Sequence, residues 1–223
     1  MADILPVIYD DVAKIVSNWK QSDIYAISFF VYDRDGNPCA PTLTVGYNTL
    51  EQALLAVDRG ASSPGEAKWN YAFWLQNQEY VFGYDNKSAQ LIQDWISSLG
   101  LSDEGAITAA FINILIDVSL KLHGDGVIAK ALGGEIPIII HGLEYYDAIA
   151  LQNKKANPSS AISEFLLWMD EEILNPGPCN LEMMRNFGFD PCSPGFDIDK
   201  YMDDQLKQLD SFIKKMAEDG NKF

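Results

Sequence analysis

Histidine is nearly missing from this chain of 223 residues, which has only His123 and His141, and cysteine is scarce, with Cys39, Cys179 and Cys192. No H-E-x-x-H and no C-x-x-C occurs, so neither a zinc site nor a redox dithiol has a basis in sequence spacing. An odd number of widely spaced cysteines fits a reducing compartment. A Cys179–Cys192 bridge in a turn-rich segment is the one pairing worth naming, and three small half-buried thiols is the simpler reading. Basic residues are also short: 16 Lys plus Arg stand against 32 Asp plus Glu, a net charge of −16. The excess is spread, with 17 acids and 8 bases over residues 1–140 and 15 acids and 8 bases over 141–223. There is no acidic tail. Such a field repels nucleic acid and anionic lipid and attracts basic partners, although acidity also serves plain solubility.

Long apolar runs are absent too. None approaches the roughly 20 residues that span a bilayer, and the opening MADILPVIYDDVAK lacks the basic and apolar regions of a signal peptide. A cytoplasmic location is the expectation. Also missing are the G-x-x-x-x-G-K-[ST] loop and the G-x-S-x-G elbow. Gly124-Asp-Gly126-Val-Ile-Ala129 spells a dinucleotide fingerprint, but a helical pattern precedes it where a strand is required, so it reads as a helix terminus. Asp33-Arg-Asp35-Gly36 resembles the start of a calcium loop. Its glycine arrives two positions early and Thr44 stands where Glu should close the loop, so a hairpin turn explains it better. No cofactor is implied.

What is present is an ordinary globular balance, 48% hydrophobic and 22% charged. Ile8, Val12, Ile15, Val16 and Trp19 recur at helical spacing behind Pro6. Residues 24–32 are apolar on both alternating faces, the pattern of a strand covered on both sides. Leu43, Val45 and Tyr47 alternate as its antiparallel partner. Asn48 with Glu51 resembles a capping box, and Leu50, Ala53, Leu54 and Val57 form the apolar stripe of the helix that follows. Residues 68–85 read as a short helix and then an extended piece. Leu91, Ile92, Trp95, Ile96 and Leu99 define a helix ended by Gly100. Ser102 caps the next, whose residues 107–122 are apolar nearly all round except for Asn113, Asp117 and Lys121. Residues 136–141 are a third strand, which Pro137 confines to an edge or a strand start. Helices follow up to Asn157-Pro158 and around Ile162, Phe165, Leu166, Met169 and Ile173.

Together these predict a single α+β domain over 1–223, an antiparallel sheet of about three to five strands covered by helices, with a helix-rich C-terminal third. Its core spans about 5–174. Residues 175–198 form a long Pro/Gly loop, and a helix over 199–219 packs back through Leu209, Phe212, Ile213 and Met216.

Two sets of residues are candidates for function. Aromatic residues crowd 69–84 and serve either as core or as interface anchors. Trp69 and Trp74, with the acids Asp203 and Asp204 of the last helix, are the candidate partner-binding residues. The alternative is an enzyme of another type whose pocket uses His141 and Glu144, three residues apart just beyond a strand. A regulatory module holding a small ligand between helices is a third reading.

The order of segments adds a resemblance. An N-terminal helix, IYAISFFVYDRDGNP, NTLEQAL, KWNYAFW, the long apolar helix, IPIIIHGLEYYD and ANPSSAISEFLLW follow one another. Over roughly residues 5–170 this resembles the bacterial family known as domain of unknown function 4303. That family has no established catalytic residues, so none carries over. The resemblance implies a non-enzymatic binding protein of immunity type, neutralising a toxin domain made by the same cell. A basic toxin would suit the −16 charge.

Overall fold

The structure is a computed structural model describing residues 3–174, all within one unit, Met1–Asn175. The expected loop at 175–198, the helix at 199–219, Cys179, Cys192, Asp203 and Asp204 lie outside the described residues.

Helix α1 (Leu5–Val16) carries Pro6 in its first turn and buries Ile8, Val12 and Val16 at helical spacing. Strands β1 (Ile24–Asp33) and β2 (Pro41–Thr49) pair antiparallel. The tight turn between them places Asp35 at φ 56° and Gly36 at φ 67°, a left-handed conformation that glycine and aspartate tolerate. Helices α2 (Leu50–Asp58) and α3 (Pro64–Trp69) and a 3₁₀ turn at Tyr71–Phe73 lead to β3 (Tyr80–Phe82). Helices α4 (Asn86–Leu99), α5 (Glu104–Gly124) and α6 (Val127–Leu132) follow, then β4 (Ile138–His141), α7 (Asp147–Ala156), α8 (Ser159–Trp168) and a π-helical turn at Met169–Leu174.

The four strands lie in the order β3-β2-β1-β4. This is the expected α+β class with β1 inside the sheet, but the sheet is mixed where an antiparallel one is expected. β4 runs parallel to β1, Ile27 beside Ile138 and Phe30 beside His141. Three helices separate β3 from β4, a crossover long enough to bring the chain back in the same direction.

Each face of the sheet is covered by a different set of helices. Ile27, Phe29, Leu43, Val45, Phe82, Ile138 and Ile140 pack under α1, α4, α5 and α6. On the other face Ala26 and Ile139 meet Trp69 and Trp74, Ile149 of α7, and Ile162, Phe165 and Trp168 of α8. Against the expectation that no run approaches membrane length, helix α5, at 21 residues, is long and apolar enough to cross a bilayer by length and composition. Here Phe111, Leu115, Val118 and Leu122 are fully buried in the first of these layers. Asn113, Asp117 and Lys121 form the predicted polar stripe on its exposed side.

Three local expectations need correcting. Thr49, not Asn48, caps α2, its side chain accepting from the Gln52 amide at 3.2 Å. Asn48 is fully buried in the sheet instead. Asp103, not Ser102, caps α5 through the Ala106 amide at 2.8 Å. Of the stripe assigned to α2 only Ala53 is buried, while Leu50, Leu54 and Val57 are 48%, 72% and 43% exposed. The helix turns the small Ala53 and Ala56 inward, so close approach decides its orientation and side-chain bulk does not.

The free edge of β4 is closed without a strand. Asn157 Oδ1 accepts from the Ile138 amide at 2.7 Å and its Nδ2 donates to the Ile138 carbonyl at 2.8 Å. Asn153 does the same for Ile140, at 2.7 and 2.8 Å. A carboxamide has the donor and acceptor of a peptide group. Residues four apart on a helix rise about 6 Å, and alternate residues of a strand are about 6.6 Å apart, so the two periods match. His123 Nε2 reaches Asn157 Oδ1 at 3.2 Å and its Nδ1 reaches Glu135 at 2.6 Å.

Candidate functional site

The aromatic segment divides: Trp69 and Trp74 line the second core, Phe82 lies in the first, and Tyr84 is exposed. Trp69 is 3% exposed and Trp74 4%. Tyr25 lies edge-on to Trp69 at 5.4 Å and to Trp74 at 6.4 Å. The Lys68 carbonyl accepts from Trp74 Nε1 at 2.8 Å and also from the Tyr25 hydroxyl. Asn48 Nδ2 donates to that hydroxyl at 2.8 Å, and Asn48 Oδ1 accepts from the Leu75 amide at 3.2 Å. Burial holds the Tyr25 phenol well above its usual range. Trp69 and Trp74, named from the sequence as partner-binding residues, thus have both rings packed inside the fold.

His141 is likewise interior, at 1% exposure. It lies at the end of β4, where its ring packs on Tyr71 at 4.5 Å, Phe30 at 5.6 Å and Trp74 at 5.8 Å. Nδ1 lies 2.9 Å from the Gly142 carbonyl, which can only accept, so Nδ1 carries the proton. Nε2 then accepts from Ser28 Oγ at 2.9 Å. Burial lowers the imidazole to a pKa of about 4, against a small opposing effect of the Gly142 bond, so it is neutral at pH 7. A serine hydroxyl on a neutral imidazole is the pairing of nucleophilic catalysis. Here Ser28 is 5% exposed, and aromatic rings seal the pair from solvent. Glu144 is exposed on the loop after β4 and lines a surface hollow. No hydrogen bond or ion pair joins it to His141, and the two do not form the expected common pocket.

Surface relief lies elsewhere: three hollows share residues, and a smaller one of about 110 Å³ lies apart beside Asp11, Tyr80 and Asp85. The first, about 260 Å³, sits on the face of the sheet where the helices stop. Its floor is Phe30, Thr42, Thr44 and Val81, brought side by side by the register Phe30–Thr44 and Tyr32–Thr42. Tyr32, Tyr71 and Tyr84 rise around it. Tyr32 also lines the second hollow, about 430 Å³, at the C-terminal ends of β1 and β4, together with Asp33, Leu143, Glu144 and Tyr146. Burial, and then the nearby Glu104, push the Asp33 carboxyl above its usual range. Thr108 and Tyr146 continue into the third, a groove of about 510 Å³ between α5 and α7 that includes Ile112, Leu151 and Lys155.

Along this band Tyr84, Tyr32, Leu143, Tyr146 and Leu151 are each more than half exposed. Reading the sequence segment by segment finds only parts of the site, Glu144 and the aromatic Tyr71 and Tyr84, because much of the rest comes from β1, β2, β3, α5 and α7. The usable signal was Phe30 and Tyr32 on the same side of β1, opposite two threonines of β2. Among the described residues, no three His, Cys, Asp or Glu side chains gather within reach of one metal ion.

Comparison of the chain with protein-family models, with curated proteins and with solved structures finds no match.

Proposed function

We propose that the protein is a non-enzymatic binding protein that engages a basic protein partner through the band from Tyr84 to Leu151. We further propose that the partner is a toxin domain, neutralised in the cytoplasm in the manner of an immunity protein. The observation that carries the reading is the sharing of Tyr32 and Tyr146 between hollows, which joins the three into one surface. Exposed tyrosines and leucines in contiguous relief are the composition of interface anchors, and a connected patch signifies more than scattered apolar residues do. Asp33 and Glu144 in the middle hollow supply negative charge beside them. A net charge of −16 would speed encounter with a cationic surface and weaken it as salt rises. The resemblance to the bacterial family points the same way. The Ser28–His141 pair is sealed from solvent, which speaks against catalysis at that pair.

The test is co-expression with proteins encoded beside the gene, followed by pull-down at about 0.05 M and about 0.5 M salt. The expected outcome is a complex with a basic protein that weakens at the higher salt and is lost in a Leu143→Asp/Tyr146→Ala variant of unchanged melting temperature. Full retention of that complex by the folded double variant, or no basic partner among the neighbours at low salt, would overturn the reading.

A further inference from the structure

Within the band, the first hollow differs in chemistry from the other two: none of its lining residues is charged. Its main feature is a row of rings. Phe30 stacks on Tyr71 at 5.1 Å with 14° between planes, and on Tyr32 at 6.1 Å with 15°. Phe30 thus stacks on both neighbours, and the row leads from the core toward solvent and ends on Tyr32, which is 51% exposed and offers the accessible ring face. Tyr84, 67% exposed, stands at the rim. Thr44 and Gln78 are the further polar side chains that line the hollow, while Thr42 already donates its hydroxyl proton to the Tyr32 carbonyl. Arg34 donates to the Gly83 carbonyl at 3.2 Å, next to Tyr84 in the chain.

Resting on the proposed function and deepening it, we infer that this hollow is an anchor pocket for a guanidinium group, an arginine side chain of the basic partner. Aromatic faces carry negative quadrupole charge, and a planar cation gains by lying on them. Guanidinium is planar and more weakly hydrated than ammonium, so it loses less on leaving water and can stack. Its five donors need acceptors in the ring plane, and hydroxyl and amide oxygens around the hollow supply them. A carboxylate-lined site would hold either cation by charge, with arginine favoured where it pairs through two bonds. A neutral, ring-lined one distinguishes the two. The acids of the neighbouring hollow, Asp33 and Glu144, draw cations in without occupying the pocket itself.

The experiment uses the whole chain and three short probes, acetyl-Gly-Arg-Gly-amide and its lysine and citrulline counterparts, followed through the aromatic proton resonances of selectively labelled Tyr and Phe. Citrulline keeps the shape and most of the hydrogen bonding of arginine and removes the charge. The arginine probe should shift Phe30, Tyr32, Tyr71 and Tyr84 saturably. Lysine should bind at least threefold more weakly and citrulline at least fivefold more weakly. A Tyr32→Ala/Tyr84→Ala variant, both positions being half-exposed or more, should lose at least fivefold in arginine affinity while keeping the melting temperature. Equal binding of citrulline, equal binding of lysine, shifts that map elsewhere, or no saturation would each overturn the inference. Because the probes require no partner, failure here leaves the binding-protein reading standing, and loss of the partner in the pull-down leaves arginine binding measurable.

Discussion

Replacing Asn157 by Ala tests how the β4 edge is held. The carboxamide makes four hydrogen bonds: to the Ile138 amide at 2.7 Å and carbonyl at 2.8 Å, to His123 Nε2 at 3.2 Å and to the Asn153 carbonyl at 3.0 Å. Ile138 is fully buried and Asn157 is 6% exposed, so water does not replace what is lost. A buried donor or acceptor left unmade costs about 1–3 kcal/mol. Two such groups on Ile138, with the bond to His123 gone as well, put the loss at about 4 kcal/mol, a large part of the roughly 5–15 kcal/mol that holds a domain together. With a urea slope of about 2 kcal/mol per M, the midpoint falls by about 2 M. Asn153→Ala supplies an internal control. The Ile140 carbonyl keeps a second donor, Gln152 Nε2 at 2.7 Å, so one backbone group is orphaned and the loss is about 2 kcal/mol. Urea unfolding with amide hydrogen exchange at Ile138 and Ile140 reads both effects. A midpoint unchanged in Asn157→Ala with Ile138 still protected, or a larger effect from Asn153→Ala, would refute the account.

Two further predictions follow from buried contacts. His141 is neutral in the fold with a pKa of about 4 against 6.5 unperturbed, so the unfolded chain binds the extra proton as pH falls. Its contribution is fully present above pH 6.5 and erodes toward pH 4. Between pH 6.5 and 5 this amounts to about 2 kcal/mol, seen as a slope in urea midpoints that a folded His141→Gln variant lacks; parallel slopes would refute it. Gly46 lies under the loop that follows the 3₁₀ turn, and a Cβ there would sit 2.5 Å from the Asn77 carbonyl oxygen. Gly46→Ala should therefore cost about 1–3 kcal/mol and deprotect the Tyr47 amide, which bonds Asn77 Oδ1 at 2.9 Å; a melting temperature within a degree of wild type would show that the loop yields freely.

Elements whose own periodicity encodes them were legible in the sequence: α1 from Ile8, Val12 and Val16, β1 from its two apolar faces, and α4 up to Gly100, which takes the left-handed cap at φ 65°. Properties that depend on the neighbour were not. A short run such as Ile138–Ile140 specifies burial but carries no direction, so its parallel pairing could not be read. In α2 the leucines satisfy a helical stripe, yet Ala53 and Ala56 are the residues that let the helix approach its support. Asn153 and Asn157 look like an ordinary helix end until β4 lies beside them. The candidate site suffered most. Trp69, Trp74 and His141 drew notice as rare or aromatic residues, and those same qualities put them in the core. The hollow is instead built from Phe30, Thr42 and Thr44, which strand register brings together, with Tyr71 of the 3₁₀ turn beside them.

The carboxamide closure of β4 also bears on how the protein behaves in a crowd. A strand edge with unpaired amides is a template on which another chain can add, and most sheets blunt it with charge, proline or a covering segment. Here two side chains one helical turn apart carry that duty, so a substitution at either would turn a folding defect into an aggregation hazard. Variants at Asn153 or Asn157 should therefore show losses that grow with protein concentration, marking β4 as the place where self-association begins.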